Sequence, residues 1–533
     1  APLLGNPHAE SPACNRVLID GPTTVLVPPG TYDVRAIAGP FSTLAESLRV
    51  TIAAGQLAEV DLAVEILPLQ PEGTLSGDFH VHGGSSFDSG FDPDTRVRSF
   101  VAAQLDVVAT TEHDTVYDYA AVTRALGFDD RVIVLDGTEA TGHILFSLFE
   151  DSAFPKVFGH WNIWPIPYDG HAPLRGAPWD EMAQPAVLFD RAVARGYDPA
   201  TGVIQLNHPW GGAEFGRDYG WAEAIELDLT QDLPPTYDGS GSSLFLHKPE
   251  GSAFSNAAFH VQEVMNGSAN KVMQGYRAIW HYLLNQGVVR GGTANSDTHS
   301  LTENITGIPR NLVWTDTTRD DFSADAFHAD VRAGRMVGTN GPVLQVWTTD
   351  EDGDPRLPSL EAFVPADDAV LNVTVHAAPW VLVDEVRVVV NGEVVHTWTD
   401  LAQPANDFDV TTLLRLEATL PLAGIVPTGK DAWIVVEAGA PLVPSADLDC
   451  NGVPDTGDNN GDGSIDWKDV EALTEDPEAE CLEDVGPLAE PPLPARGERG
   501  YAYSVVVPDG HPMSFTNPLL LAPDGNGFQG VKP

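Results

Sequence analysis

Histidines and carboxylates recur at short spacings through the middle of this chain, each group delivered by an apolar run. Leu75 to Val81 carries His80 and His82, and Leu105 to Thr111 delivers Glu112-His113-Asp114. Val132 to Leu135 delivers Asp136 and Glu139, Val203 to Leu206 delivers Asn207-His208-Pro209, and Val288 to Ala294 delivers Asp297 and His299. His-x-His on an extended strand puts both imidazoles on one side, because side-chain direction alternates with period two. Asp297-x-His299 repeats that geometry. Glu139 is suited to bridging two cations, since a carboxylate has two oxygens and a neutral imidazole one free nitrogen. Imidazole with carboxylate and no thiolate favours Zn²⁺, Mn²⁺ or Fe. A lone histidine is an ordinary structural residue; five strand-end groups in succession point to one metal site. Clustered cations activate water directly, so hydrolysis here needs no Ser or Cys nucleophile, and the chain has no Gly-x-Ser-x-Gly elbow.

Such ligands must be positioned by strands ending on a common face. Over residues 71–345 the apolar runs alternate with helical stretches at Asp94 to Gln104, Gln184 to Arg195, Val272 to Asn285 and Ser323 to Ala333. That alternation predicts an α/β architecture with parallel strands, whose C-terminal ends share one face. Residues 1–70 read as an N-terminal β-sandwich, with strands at Thr23 to Val27, Tyr32 to Ala36, Leu48 to Ala53 and Val60 to Ile66. Residues 346–533 read as a second β-sandwich: Val370 to His376, Val386 to Val390 before an Asn391-Gly392 hairpin turn, Trp433 to Glu437, and a closing strand at Gly500 to Val507. An acidic insertion, 446–495, interrupts it. There Asp458, Asn460, Asp462, Ser464, Asp466 and Asp469 fall on the oxygen-ligand positions of an EF-hand-type loop, with Gly463 at its sharp turn. Asp447, Asp449, Asn451 and Asp455 repeat half the pattern. Calcium binding is the reading preferred over a solvated acidic linker.

Composition narrows the partners. The 533 residues suit two to four domains. A hydrophobic content of 43% with 12 Trp opposes global disorder. Acidic residues outnumber basic ones 77 to 28, a net charge of -49, which predicts no nucleic-acid polymer and no anionic membrane as partner. An anionic substrate would be repelled unless bound cations reversed the local field. No apolar run reaches 18 residues, so no membrane span is expected. Of three cysteines, Cys450 and Cys481 could pair across the insertion, leaving Cys14; three unrelated thiols are an equal alternative. Acidity and the calcium pattern together suggest a secreted or periplasmic protein.

The ordered motifs Asp78-Phe79-His80-Val81-His82, Thr111-Glu112-His113-Asp114, Gly137-Thr138-Glu139, Asn207-His208-Pro209 and Ser296-Asp297-Thr298-His299 resemble those of the PHP (polymerase and histidinol phosphatase) superfamily. Gly159-His160-Trp161-Asn162-Ile163-Trp164-Pro165, Ala333-Gly334-Arg335, Thr339-Asn340-Gly341-Pro342 and Thr516-Asn517-Pro518 are similar to CehA/McbA-like metallohydrolases within it. Val27-Pro28-Pro29-Gly30-Thr31-Tyr32 resembles carboxypeptidase-regulatory-like modules. The resemblance implies a distorted (β/α)7 TIM-like barrel holding two or three divalent transition metals. Its ligands would be His80, His82, Asp88, His113, Glu139, His160, His208, Asp297 and His299. His143 competes with His160 for the sixth place, and the flanking Trp-Asn-Ile-Trp-Pro favours His160. Where the family has Thr-Asp-His this chain has Thr111-Glu112-His113, which leaves Glu112 without an assigned role.

His80, Asp88, His113 and Asp297 are the expected catalytic residues. Arg98, Arg290, Trp161 and Trp210 are the candidates for substrate contact, with Arg310 a further cation; for each arginine a surface ion pair is the preferred reading. His260 and Glu263 are plausible wall residues of the pocket, with ordinary strand positions the preferred reading. Three functions are expected in descending order: a phosphoesterase acting on a small-molecule ester, an aryl carbamate or carboxylic ester hydrolase, and a non-catalytic calcium-dependent extracellular module.

Overall fold

The computed structural model describes residues 16–45, 48–142, 159–181, 183–209, 221–225, 227, 232–239, 241–302, 304–440, 442, 494, 497–508 and 510–531. At the N-terminal end β1 (Gly30–Val34) pairs antiparallel with β2 (Leu48–Ile52). The described part of 1–70 holds that two-stranded ladder and an isolated Ser42–Ile66 bridge in place of the expected sandwich. Leu26, Leu57 and Ile66 stay exposed, with no second layer among the described residues to bury them.

The alternation over 71–345 folds as β3 (Thr74–Asp78), α1 (Pro93–Ala102), β4 (Val107–His113), α2 (Tyr119–Leu126), β5 (Ile133–Ala140), β6 (His160–Trp164), α3 (Pro185–Val193), β7 (Val203–Asn207), α4 (Trp221–Ala224), β8 (Val261–Asn266), α5 (Asn270–Asn285) and β9 (Gly291–Asn295). All four helical stretches read from the sequence form helices. Asp92 caps α1 by accepting from the Thr95 N–H, with Pro93 in the first turn. Strands β3, β4 and β5 are parallel neighbours, as are β7, β8 and β9. Between them β6 runs antiparallel to both β5 and β7. The two ends of this seven-strand run meet just beyond β3 and β9, where Val81 bridges Thr298 in parallel. The His82 N–H donates to the Thr298 carbonyl at 3.1 Å and the Asp297 N–H to the His80 carbonyl at 2.9 Å.

The same sheet continues past β3 through β10 (Arg310–Trp314) and, after α6 (Ala324–Arg332), β11 (Met336–Thr339). A four-stranded sheet is built from β12 (Val343–Thr349), β13 (Pro355–Arg356), β15 (Val370–His376) and β18 (Leu414–Pro421), with β14 (Ala362–Phe363) lying apart from it in the large sheet. Strands β16 (Glu385–Val390), β17 (Glu393–Trp398) and β19 (Ala432–Gly439) also join the large sheet. The chain ends on α7 (Tyr501–Val506), β20 (Met513–Thr516) and β21 (Leu519–Leu521). The molecule is thus a mixed α/β protein with one large sheet and few helices. One apolar core joins Val346, Leu371 and Val373 of the small sheet to Val388, Ile434 and Val436 of the large one. The expected strand over 500–507 is instead helix α7: Ala502, Tyr503 and Val506, at helical spacing, enter that core, and Tyr503 stacks on Trp380. Strands β20 and β21 supply the closing pair. No helix among the described residues is long and apolar enough to cross a membrane.

Arg277 of α5 reaches both carboxylate oxygens of Glu437 on β19 at 2.9 and 2.8 Å, a buried pair joining the helix layer to the C-terminal strands. Removing one partner strands a charge in the core. Arg277→Ala is expected to lower unfolding stability by about 3–5 kcal/mol, and Arg277→Met with Glu437→Leu by markedly less. Urea unfolding midpoints of the single and double variants check this; equal losses in both would contradict it.

Candidate metal centre

Strand ends bring the imidazoles and carboxylates to one place. Beyond β3 the backbone stays extended, so His80 and His82 project together while Val81 packs outward among Val97, Phe100 and Tyr119. His113 closes β4 directly beside Glu139 on β5, and His160 opens β6 opposite Asn207 on β7. Asp297 and His299 follow β9. Asp114, His208 and Asp297 all take positive φ (54°, 21° and 50°), a conformation that non-glycine residues avoid. These three turns, after β4, β7 and β9, place backbone strain where the side chains converge.

Glu139 is fully buried at the centre. Its Oε2 lies 3.3 Å from His80 Nε2, 3.3 Å from His82 Nε2 and 2.9 Å from His113 Nδ1. Its Oε1 lies 3.2 Å from both His160 Nδ1 and His208 Nε2, and accepts from Asn207 Nδ2 at 2.9 Å. The two oxygens therefore serve two sets of imidazoles, as expected of a bridging carboxylate. Asp297 Oδ1 sits 3.2 Å from His80 Nε2 and 3.1 Å from His82 Nε2. At the mouth Asp88 Oδ2 joins His113 Nε2 at 3.0 Å to His299 Nε2 at 3.2 Å. All nine side chains carried over from the motifs thus meet in one cluster.

The donor set fits metal ions on a direct observation. His80 Nε2, His82 Nε2, His113 Nδ1, Glu139 Oε2, Asp297 Oδ1 and His299 Nε2 are buried and make no hydrogen bond of ordinary geometry, although they crowd within ion-pair distance of one another. Buried polar atoms left in that state are costly. Atoms whose lone pairs aim at a common point are satisfied by a cation there. Three sets have the spacing for it: His80, His82 and Asp297; His80, Glu139 and His208; and His82, His113 and His299. Because the sets share His80 and His82, the ions they hold would be neighbours.

Charge within the cluster follows the same logic. Burial opposes a charged His80 ring, but Asp297, Glu139 and Glu263 override it and lift its pKa well above the ordinary value. Against burial, Glu139 and Asp88 push His113 up to about 10. Burial lowers His82, helped by His113 and His299. Burial also opposes the charges on Glu139 and Asp297, yet the surrounding imidazoles hold both carboxyls well below the usual range. Divalent ions would take the place of these protons.

A further layer orients the rings. Glu263 takes His80 Nδ1 at 2.9 Å and also accepts the His208 N–H at 2.6 Å, directing His80 Nε2 inward. Ser86 donates to Glu112 at 2.5 Å and contacts His82 Nδ1 at 3.1 Å, so Glu112 positions His82 through Ser86 and does not enter the cluster. Gly83 must lack a side chain, since a Cβ there would overlap the Tyr119 hydroxyl and approach Glu112 Oε1 to 2.8 Å. His299 Nδ1 faces the Asp297 carbonyl at 2.9 Å. In the sequence Glu263 is a plausible pocket-wall residue for which an ordinary strand position is preferred; the structure instead sets it against His80.

Other sequence expectations separate from the cluster. Arg98 pairs with Asp20 at 3.8 Å and lies over Phe128. Arg290 is buried, donating to the Val289 and Ala257 carbonyls, and Arg310 is likewise buried on the Ala103, Gln104 and Gly307 carbonyls. Trp161 fills the core against Phe189 and Phe259. All four satisfy backbone, ion-pair or packing needs away from the ligands. Asp136 also stays outside the cluster, its carboxyl pushed up to about 7 by burial and Asp118. His260 accepts the Ile204 N–H and is structural. His143, Trp210, the three cysteines and every calcium-loop residue lie outside the described residues.

No protein family matches the chain, and no curated protein matches it. A solved structure that does match is that of the lesion-specific endonuclease PfuEndoQ from Pyrococcus furiosus, at 11% identity and a TM-score of 0.28. The match covers 49% of this chain, which spans 57% of the length of that one. A likeness of that size carries no argument about fold or activity. The exclusion of nucleic-acid polymers is nevertheless withdrawn: the matched protein is an endonuclease, and net charge is a poor guide where bound cations reverse the field at the site itself.

If Glu263 holds the His80 ring for metal, Glu263→Gln should weaken metal retention roughly 10–100-fold. Competition against a chromophoric chelator measures this, with circular dichroism to confirm folding. Unchanged affinity in a folded variant would remove Glu263 from the site.

Proposed function

We propose that the chain is a metal-dependent hydrolase of phosphate esters, and that its seven-strand run is the distorted barrel of a PHP-type enzyme. The observation that carries this reading is the convergence, from four strand ends, of six buried nitrogen and oxygen atoms that make no hydrogen bond. The Val81–Thr298 bridge that joins the two ends of the run supports the barrel. Adjacent divalent ions would supply an activated water, a hold on the substrate oxygen and charge neutralisation at phosphorus.

The chain's own residues then have distinct tasks. Glu139, His80 and His82, fully buried, fix the spacing of the ion sites and exclude bulk water from the floor. Asp88, with 36% of its side chain exposed, is the most open of the nine and stands where a substrate enters. Its carboxylate holds His113 and His299 together across the mouth. A phosphate ester is favoured over a carbonyl ester because three overlapping ligand sets suit a group bearing several anionic oxygens. The complete donor set weighs against a vestigial, non-catalytic module.

The test is a metal-stripped preparation reloaded separately with Zn²⁺ and Mn²⁺ and assayed on an aryl phosphate monoester, a diester, a carboxylic ester and an aryl carbamate. Phosphoester cleavage should appear only with metal. His80→Ala and Asp297→Ala should each lower it at least about 100-fold, since even supporting residues at metal sites carry 10–100-fold. Activity that survives both substitutions, or cleavage of the carbamate alone, would overturn the proposal.

A further inference from the structure

Arg175 adopts a backbone conformation that arginine avoids. It lies in the turn Pro173–Gly176, where Leu174 and Arg175 both take positive φ, 55° and 54°. Strain of this kind persists only where surrounding contacts impose it. Here the Leu174 carbonyl accepts the Val116 N–H at 3.3 Å and the Thr115 hydroxyl at 3.2 Å. The Arg175 carbonyl accepts the Asp169 N–H at 3.0 Å. Thr115 and Val116 follow closely on His113, so the turn is fastened to the segment that leaves the metal cluster.

The side chain reaches a second segment of the rim. Arg175 Nη1 donates to Ser85 Oγ at 3.1 Å, and the guanidinium carbon lies 5.5 Å from the centroid of the Tyr117 ring. Ser85 adjoins Ser86, whose hydroxyl contacts His82 Nδ1 at 3.1 Å and accepts the His113 N–H at 3.0 Å. One guanidinium thus spans the chain segments that follow His82 and His113. It nevertheless stays exposed, and among the described residues no carboxylate pairs with it. A guanidinium carries five N–H donors in a planar fork, and Ser85 takes one of them. In a chain with 77 acidic residues against 28 basic ones, a positive charge is left uncommitted beside the candidate ion sites.

We propose that Arg175 is a specificity-determining residue: its guanidinium binds a second anionic group, a carboxylate or phosphate, on the ester whose phosphoryl group occupies the metal cluster. The inference rests on the phosphoesterase reading and names its substrate class, a phosphate ester carrying a further negative charge. The planar fork suits either group, since both accept two parallel N–H bonds. A surface this acidic repels such a substrate, and a cation fixed at the rim offsets that repulsion where the substrate enters.

Binding to the Zn²⁺-loaded full chain, measured calorimetrically, separates the two ideas because phosphonates need not be cleaved. Wild type should bind phosphonobutyrate, tetramethylene bisphosphonate or both roughly 3–10-fold more tightly than butylphosphonate. The larger of the two ratios identifies the second group as carboxylate or phosphate. Arg175→Met keeps an aliphatic stem against Tyr117 and alters an exposed residue, so folding should be unaffected. It should abolish the preference while leaving butylphosphonate affinity within about twofold. An equal loss for all three ligands would show that Arg175 only fastens the turn, and would overturn the proposal. So would no preference in the wild type, binding of no phosphonate, or a preference that persists in Arg175→Met. Hydrolysis of carboxyphenyl phosphate is assayed alongside. An Arg175-dependent preference without hydrolysis would sink the phosphoesterase reading and leave the anion site standing; hydrolysis without that preference would do the reverse.

Discussion

A carboxylate buried to zero exposure among five imidazoles, that of Glu139, is the contact on which this arrangement turns. Burying an ionised group costs several kcal/mol unless partners surround it, and these partners come from β3, β4, β6 and β7 and their ends. Glu139 therefore constrains where four strands can stop. Asp297 and Glu263 add two more carboxylates on His80. Without cations the cluster stays balanced by protonated histidines. With them, the same carboxylates are balanced by metal and the imidazoles are freed to act as neutral ligands.

Beneath the cluster lies a layer of buried amides that fixes the strand ends. Asn207 donates to Glu139 and to Asn162 Oδ1, and receives from Gln205. Asn295 donates to Gln205, Glu263 and Thr293 and accepts from the Phe79 N–H and from Asn311. Asp78 accepts the Ser296 hydroxyl and the Ser296 and Gly307 N–H groups. A network satisfied at this density is rigid, because each member's geometry is set by several others. Rigidity of that kind is what a multi-ion site requires of its scaffold.

The C-terminal strands belong to the same structural unit. Asn517 accepts the Gly292 N–H and donates to the Gly292 and Met336 carbonyls, tying the last strands to β9 and β11. Asn340 accepts the Met513 N–H and donates to the His511 carbonyl. The Thr339-Asn340-Gly341-Pro342 and Thr516-Asn517-Pro518 motifs thus act as backbone clamps and stand apart from the ligands. With the Arg277–Glu437 pair they couple the site's scaffold to the outer sheet.

Residue type and period were enough to single out His80, His82, His113, Glu139, His208, Asp297 and His299, because alternation along a strand and the placement of polar residues just past apolar runs are local properties of the chain; Asp88 and His160 came only with the resemblance of the motifs. Helices α1, α3, α5 and α6 were legible for the same reason. Local pattern misplaced the 500–507 segment, whose apolar residues fit either period until Trp380 and the core selected a helix. It also offered Trp161 as a substrate contact, when aromatic packing against Phe189 and Phe259 holds it in the core; Arg98 makes the ion pair preferred for it, and Arg290 is buried on backbone carbonyls. The antiparallel entry of β6 and the turning of Glu263 toward His80 were decided by tertiary structure alone. Each depends on which distant residues arrive alongside, and the spacing of nearby residues carries no record of that.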